Sequence, residues 1–263
     1  MLFTQLIQAN LTTQILGRTI EHYAVTDSTN SDALELASEG APEGTVVTTD
    51  NQTAGRGRHG RSWFCGVGKG LAFSVILRPE TDGKSAGLLP LLAGVAVAEV
   101  LEQFNLQAAL KWPNDILLNK KKCGGILTEG KFQGNLLSST VIGIGINVNE
   151  SADELPEDLR QTATSLAEES GTTVQRELML ARILNSLEPW YRRLQSGATA
   201  EIISAWEGYC AHLQKSVSFF RENQEMTGIF SGVAEDGEAI IESGDDRLLL
   251  SSEEITMMWE EER

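Results

Sequence analysis

Gln52-Thr53-Ala54-Gly55-Arg56-Gly57-Arg58-His59-Gly60-Arg61-Ser62-Trp63 places three glycines and three arginines in one short run. Glycine lets a backbone come close to a ligand and present its N–H groups, and arginine adds a planar fork of donors suited to phosphate and carboxylate. The run therefore reads as a loop able to wrap an acyl phosphate. Gly55 to Gly60 also fits G-x-G-x-x-G, but a dinucleotide fingerprint opens directly into a helix, whereas here Gly66, Gly68 and Gly70 lead into the apolar strand-like run Leu71 to Leu77. A G-x-x-x-x-G-K-S/T phosphate loop is absent, since Gly68-Lys69 is followed by Gly70. An arginine–glycine tract for RNA would be longer and would not sit between strong strands of an acidic chain.

Outward from this loop, helix and strand patterns alternate. On the N-terminal side, His22 to Val25 reads as a short strand, the polar run Thr26 to Asn30 precedes a helix beginning near Ser28 to Asn30, and Thr45 to Thr49 is a β-branched strand. On the C-terminal side, Leu88 to Phe104 has the composition of a buried helix. Strands are expected over Ala108 to Lys111, Ile116 to Leu118, Gly125 to Thr128 and Leu136 to Val148, with a turn at Asn119-Lys120-Lys121. Arg176 to Gln195 and Thr199 to Leu213 read as helices. From Gln214 onward the pattern changes to short strands at Val217 to Phe220, Thr227 to Val233, Ala239 to Ile241 and Leu248 to Leu250, separated by polar turns. The chain is thus expected to be α+β, with a mixed sheet and flanking helices over residues 1–213 and a small all-β domain over residues 214–263.

Bulk properties set limits. The chain has 263 residues, 41% of them hydrophobic, which is enough for a sizeable core. Its apolar stretch Leu88 to Leu101, interrupted by Pro90 and Glu99, is short for a bilayer, and no leader pattern opens the chain, so a soluble cytoplasmic protein with no membrane partner is expected. Cys65, Cys123 and Cys210 lack C-x-x-C spacing and are expected as unpaired thiols. A net charge of −16 disfavours general nucleic-acid binding. The charge is uneven: Gly55 to Lys131 holds 11 Lys and Arg against 6 Asp and Glu, as suits an anion-binding pocket in an acidic body.

A second constellation is Lys111-Trp112-Pro113-Asn114-Asp115, followed by Lys122-Cys123-Gly124-Gly125-Ile126-Leu127. A lysine beside glycines can neutralise charge on a bound ligand. Taken alone, Lys120, Lys121 and Lys122 have the composition of a solvated hairpin tip, and Asn114 and Asp115 that of turn residues.

In order along the chain, Ser28-Thr29-Asn30, Gln52 to Arg58, Lys111 to Asp115, Lys122 to Leu127 and Gly143-Ile144-Gly145-Ile146-Asn147-Val148 resemble the biotin–protein ligase family over most of the sequence. The resemblance implies a catalytic domain similar to those of class II aminoacyl-tRNA synthetases, followed by a small C-terminal antiparallel β-barrel. It implies biotin contacts at Ser28, Thr29, Asn30, Gln52, Arg56, Gly57, Arg58 and Lys122, and ATP contacts at Arg56, Arg58, Trp63, Asn114, Lys122 and Asn147. By the same resemblance, Lys122 and Arg58 would carry the catalytic charge, and Asp115 would stand on the Mg²⁺ side. His59 stands where the family often has arginine. The implied reaction uses ATP and Mg²⁺ to make biotinyl-AMP, then transfers biotin to a lysine of a biotin carboxyl carrier protein, a subunit of acetyl-CoA carboxylase. With 27 residues ahead of Ser28, the DNA-binding domain of repressor members is not expected, nor is DNA as a partner. Homodimer formation stays open, as do a lipoate–protein ligase, sharing the chemistry, and a non-enzymatic biotin or nucleotide sensor.

Overall fold

The computed structural model describes residues 1–79, 83–133, 136–221, 224–251 and 255–257. In chain order the elements are α1 (Thr4–Ala9), β1 (Ile20–Tyr23), α2 (Thr29–Ser38), β2 (Val46–Thr49), β3 (Leu71–Leu77), α3 (Leu88–Gln103), β4 (Ala108–Lys111), β5 (Asp115–Leu118), β6 (Lys121–Gln133), β7 (Leu136–Ile146), α4 (Leu166–Ser170), α5 (Arg176–Gln195), α6 (Thr199–Tyr209), β8 (Ser216–Arg221), β9 (Gln224–Val233), β10 (Ala239–Ser243), β11 (Asp246–Leu250) and β12 (Ile255–Met257). Strands β1 to β7 form one sheet in the order β1-β2-β3-β7-β6-β5-β4, parallel at β1–β2 and antiparallel elsewhere.

The sheet is covered on both faces, unequally. Helices α3, α5 and α6 cover one face and share a large apolar core with Phe73, Val75 and Leu77 of β3. The opposite face carries α2, whose Ala33 and Ala37 pack on Val47, Ile76 and Val141. Alternation along β3 explains the division, because residues 73, 75 and 77 point one way and 72, 74 and 76 the other. With the turn before it, α3 spans 19 residues, Ser85–Gln103, longer than the stretch read from the sequence, and contains an 18-residue window of mean hydropathy 1.6. By length and composition it could cross a membrane, but 67% of that window is buried inside the protein. It is the central core helix, and each of its buried leucines and valines contributes about 1.5–3 kcal/mol.

Strands β8 to β12 form a second, antiparallel sheet in the order β11-β10-β9-β8-β12. It has its own hydrogen bonds but no separate core: Val217, Phe219, Phe230, Ile241 and Leu250 join the cluster that contains α3. Trp112 Nε1 donates to Gly237 O at 3.1 Å, fixing a turn of this sheet against the KWPND segment.

His212 lies at the junction, fully buried, with its ring edge-on to Trp206 and Phe230. Burial, reinforced by Lys111 and Lys215, pushes its imidazole down to about 3. The folded protein therefore keeps His212 neutral, whereas the unfolded chain takes up a proton near pH 6.5. Stability from this group is complete above that pH and is lost as the pH falls toward 3, at about 1.4 kcal/mol per unit. Urea unfolding at pH 7.5 and 5.0 is expected to show a drop about 2 kcal/mol smaller for His212→Gln than for the parent. Equal drops would contradict this assignment.

Candidate active site

The site forms where cross-strand rows on the α2 face become small. Ala72, Gly145 and Gly125 stand side by side on β3, β7 and β6, and the next row is Ser74, Gly143 and Leu127. These rows leave a hollow in the sheet beside α2. The Gly143-Ile144-Gly145 motif serves close approach: a Cβ on Gly143 would lie 2.0 Å from Asn30 Oδ1, and one on Gly145 would lie 2.4 Å from the Trp63 ring. The hollow is the floor of a cavity of about 590 Å³, within the range usual for small-molecule sites.

Every residue marked from the sequence lines this cavity. Ser28, Thr29 and Asn30 enter at the start of α2, Gln52 follows β2, and Arg56, Gly57, Arg58 and Trp63 come from the loop. Asn114, Asp115, Lys122 and Asn147 close the far side. At the α2 end, Gln52 Oε1 accepts from Thr29 N at 2.9 Å and lies 3.2 Å from the Thr29 hydroxyl. The Ser74 hydroxyl sits 2.6 Å from Asn30 Oδ1 and 2.8 Å from Thr29 Oγ1. Asn30 Nδ2 donates to Leu127 O at 3.2 Å and to Glu129 Oε2 at 2.7 Å. These mutual hydrogen bonds fix the side chains of Thr29, Asn30 and Ser74.

The glycine–arginine run is a tight hairpin. Gly57 N donates to Arg61 O (2.7 Å) and Trp63 N to Gly55 O (2.8 Å), with His59 and Gly60 at positive φ at the tip. Its continuation is tied down at Gly66, whose N–H donates to Glu150 Oε1 (2.9 Å), and at Gly70, whose carbonyl accepts from Arg176 (3.1 Å).

Lys122 is not at the hairpin tip, contrary to the composition-based reading. The tip is Asn119-Lys120, both at positive φ, and Lys122 is the second residue of β6. Its backbone is pinned on both sides by residues 162 and 164, through Lys122 N to Thr162 O (2.8 Å) and Thr164 N to Lys122 O (2.9 Å). Its ammonium meets Asp115 Oδ1 at 2.5 Å and lies 5.7 Å from the centre of a Trp63 ring. Trp63 Nε1 is buried with no hydrogen-bond partner among the described residues.

Asn114 and Asn147 use their amides locally. Asn114 Nδ2 donates to Ile126 O (2.6 Å) and Asn147 Nδ2 to Thr164 O (3.0 Å). Asp115 belongs to no metal-binding cluster: no group of three His, Cys, Asp or Glu suited to a metal occurs among the described residues. Sequence reading missed Ser74 and Glu129, which hydrogen-bond to residues of the site, and the lining residues Leu155, Leu159, Thr256 and Met257, the last two from β12. Polar Ser74 in the middle of an otherwise apolar buried strand was a usable signal.

Residues 23–147 match the model of the biotin/lipoate A/B protein ligase family. The bifunctional ligase/repressor BirA of Bacillus spizizenii is 38% identical over 238 residues, covering 90% of this chain and 73% of that protein. The biotin–[acetyl-CoA-carboxylase] ligase of Paracoccus denitrificans is 32% identical, covering 88% and 98%. The structure of the biotin protein ligase of Aquifex aeolicus in complex with biotin and ATP superposes with a TM-score of 0.76 at 29% identity, over 92% of this chain and all (100%) of that one. The chain belongs to the biotin/lipoate A/B protein ligase family.

Proposed function

We propose that the protein is a biotin–[acetyl-CoA-carboxylase] ligase, which activates biotin with ATP and attaches it to a lysine of a biotin carboxyl carrier protein. The observation that carries this reading is the convergence on one cavity of every residue that the family resemblance marks. The relatives named as ligases of acetyl-CoA carboxylase and the neighbour holding biotin and ATP support it. Residues 1–213 form the catalytic part and residues 214–263 a small domain whose β12 contributes to the cavity lining.

In the first step a biotin carboxylate oxygen attacks the α-phosphorus of ATP. The bond to the bridging oxygen breaks, and pyrophosphate leaves with its electron pair. In the second, the carrier amine attacks the acyl carbon and AMP departs. The start of α2 and Gln52 bind biotin, while the hairpin, Lys122 and Trp63 bind the adenylate. Two anions must meet in the first step, so Arg56, Arg58 and Lys122 act by placement and charge. No protein nucleophile is needed. Burial pushes the Cys65 thiol up to about 12 and raises that of Cys123, so neither supplies a thiolate at neutral pH. Mg²⁺ fits this site as an ion carried on the triphosphate: it needs one or two carboxylates besides phosphate oxygens, and Asp115 beside Lys122 supplies one. Bound there, it would offset phosphate charge.

Pyrophosphate release by the purified protein tests the reading. Release that requires biotin and is not supported by lipoate is the expected result. Release with lipoate alone would assign the other half of the family name.

A further inference from the structure

Glu129 belongs to no motif of the site, yet one of its oxygens joins the site's two ends. Glu129 Oε2 accepts from Asn30 Nδ2 at 2.7 Å and from Arg56 Nη2 at 2.8 Å. Asn30 stands at the start of α2 and Arg56 on the glycine–arginine hairpin, so the carboxylate on β6 bridges elements far apart in the chain. Behind Asn30 the connection continues to the buried Ser74 hydroxyl, 2.6 Å from Asn30 Oδ1. This polarity fixes the Asn30 amide. Rotated by half a turn, it would set its carbonyl oxygen against the carboxylate and turn its NH₂ toward Ser74.

The ion pair itself is partly exposed, at 43% for Arg56 and 29% for Glu129, so solvent screens its longer-range attraction, and its effect is one of orientation through charge-assisted hydrogen bonds that a neutral amide weakens. A second cavity of about 400 Å³ lies against the hairpin and is bounded by Leu127 and Glu129. With space on that side as well as over the main cavity, the hairpin depends on lateral ties, and the Glu129 carboxylate provides one.

We propose that Glu129 is a positioning residue for biotin activation, holding the Asn30 amide in one orientation and the hairpin in place through Arg56, without itself touching biotin or ATP. This rests on the ligase reading above. The test measures biotin-dependent pyrophosphate release for the parent, Glu129→Gln, Arg56→Gln and the double variant, with thermal unfolding alongside. Glu129→Gln is expected to raise KM for biotin about tenfold or more, to change kcat less than about threefold, and to leave Tm within a few degrees. In the double variant the increase in KM should fall short of the product of the single increases by about threefold or more, as for residues acting as a unit.

A KM for Glu129→Gln within about twofold of the parent, or effects that multiply while Tm falls, overturns the proposal. Arg56→Gln cuts the same tie from an exposed loop. In ligand-free protein it should speed hydrogen exchange at Gly57, whose N–H is held by Arg61 O at 2.7 Å. Unchanged exchange there overturns the proposal even if Glu129→Gln does not fold. A parent that releases no pyrophosphate with biotin defeats the ligase reading instead, whereas an active parent with an indifferent Glu129→Gln defeats this inference alone.

Discussion

Lys122→Ala is expected to slow pyrophosphate release by about 10²–10³-fold, the usual cost of removing one preorganised charge from a developing oxyanion. Biotin binding should survive. The cluster of Thr29, Asn30, Gln52 and Ser74 involves no atom of Lys122. Folding should survive too, because the bonds that pin β6 at this point are made by the Lys122 backbone to Thr162 and Thr164. Loss of the ammonium also strips Asp115 of a partner 2.5 Å away. Rapid-quench measurement of pyrophosphate, with biotin affinity by calorimetry, checks both halves. Release at the parental rate would remove Lys122 from the mechanism.

Gly143→Ala is expected to abolish useful biotin affinity by a different route. The new methyl would sit 2.0 Å from Asn30 Oδ1, and the neighbour that must move is held by Ser74, Leu127 and Glu129. Overpacking costs about 1–3 kcal/mol and a broken buried hydrogen bond about as much again, so Kd for biotin should rise by about a hundredfold or more. Gly208→Ala provides the contrast. A Cβ there meets nothing within 4 Å, and the residue lies inside α6. That substitution should leave biotin affinity unchanged and raise stability by up to about 1 kcal/mol, the helix-propensity difference. Parental biotin affinity in Gly143→Ala would show that the start of α2 does not form the biotin end.

The central strands and helices were legible because burial writes itself into sequence. Leu71–Leu77 is buried throughout and Leu88–Gln103 along most of its length, both with nearly unbroken apolar runs, and α2 begins within the polar run that marked it. Elements held mainly by distant contacts were not legible. Helix α1 has six residues, of which Ile7 is buried, and the residues leading into it are held by Leu2 N to Asp50 and Phe3 N to Glu177. Strand β6 was read as Gly125 to Thr128 but runs from Lys121 to Gln133, because the polar and glycine residues of its outer half carry no apolar strand pattern while its backbone stays in register with β7. Helix α6 stops at Tyr209 rather than Leu213, where Ala211 N turns to Leu110 O. Strand β12 has three residues, too few for any pattern.

The site divides in the same way. Residues whose types carry the chemistry, such as Arg56, Arg58 and Lys122, stood out in the sequence. Those that act by holding others did not. Glu129 is one acidic residue in a polar strand end until folding brings Asn30 and Arg56 to it. Thr162 and Thr164 act through their backbones, which no side-chain motif can report.

The measurement closest to the central claim is transfer of labelled biotin to a biotin carboxyl carrier domain by the purified full chain with Mg·ATP, beside a lipoate control. The account predicts label on the carrier lysine only when biotin and ATP are both present, and none from lipoate. Biotin that binds but is never transferred would contradict it and leave a sensor built on a ligase fold.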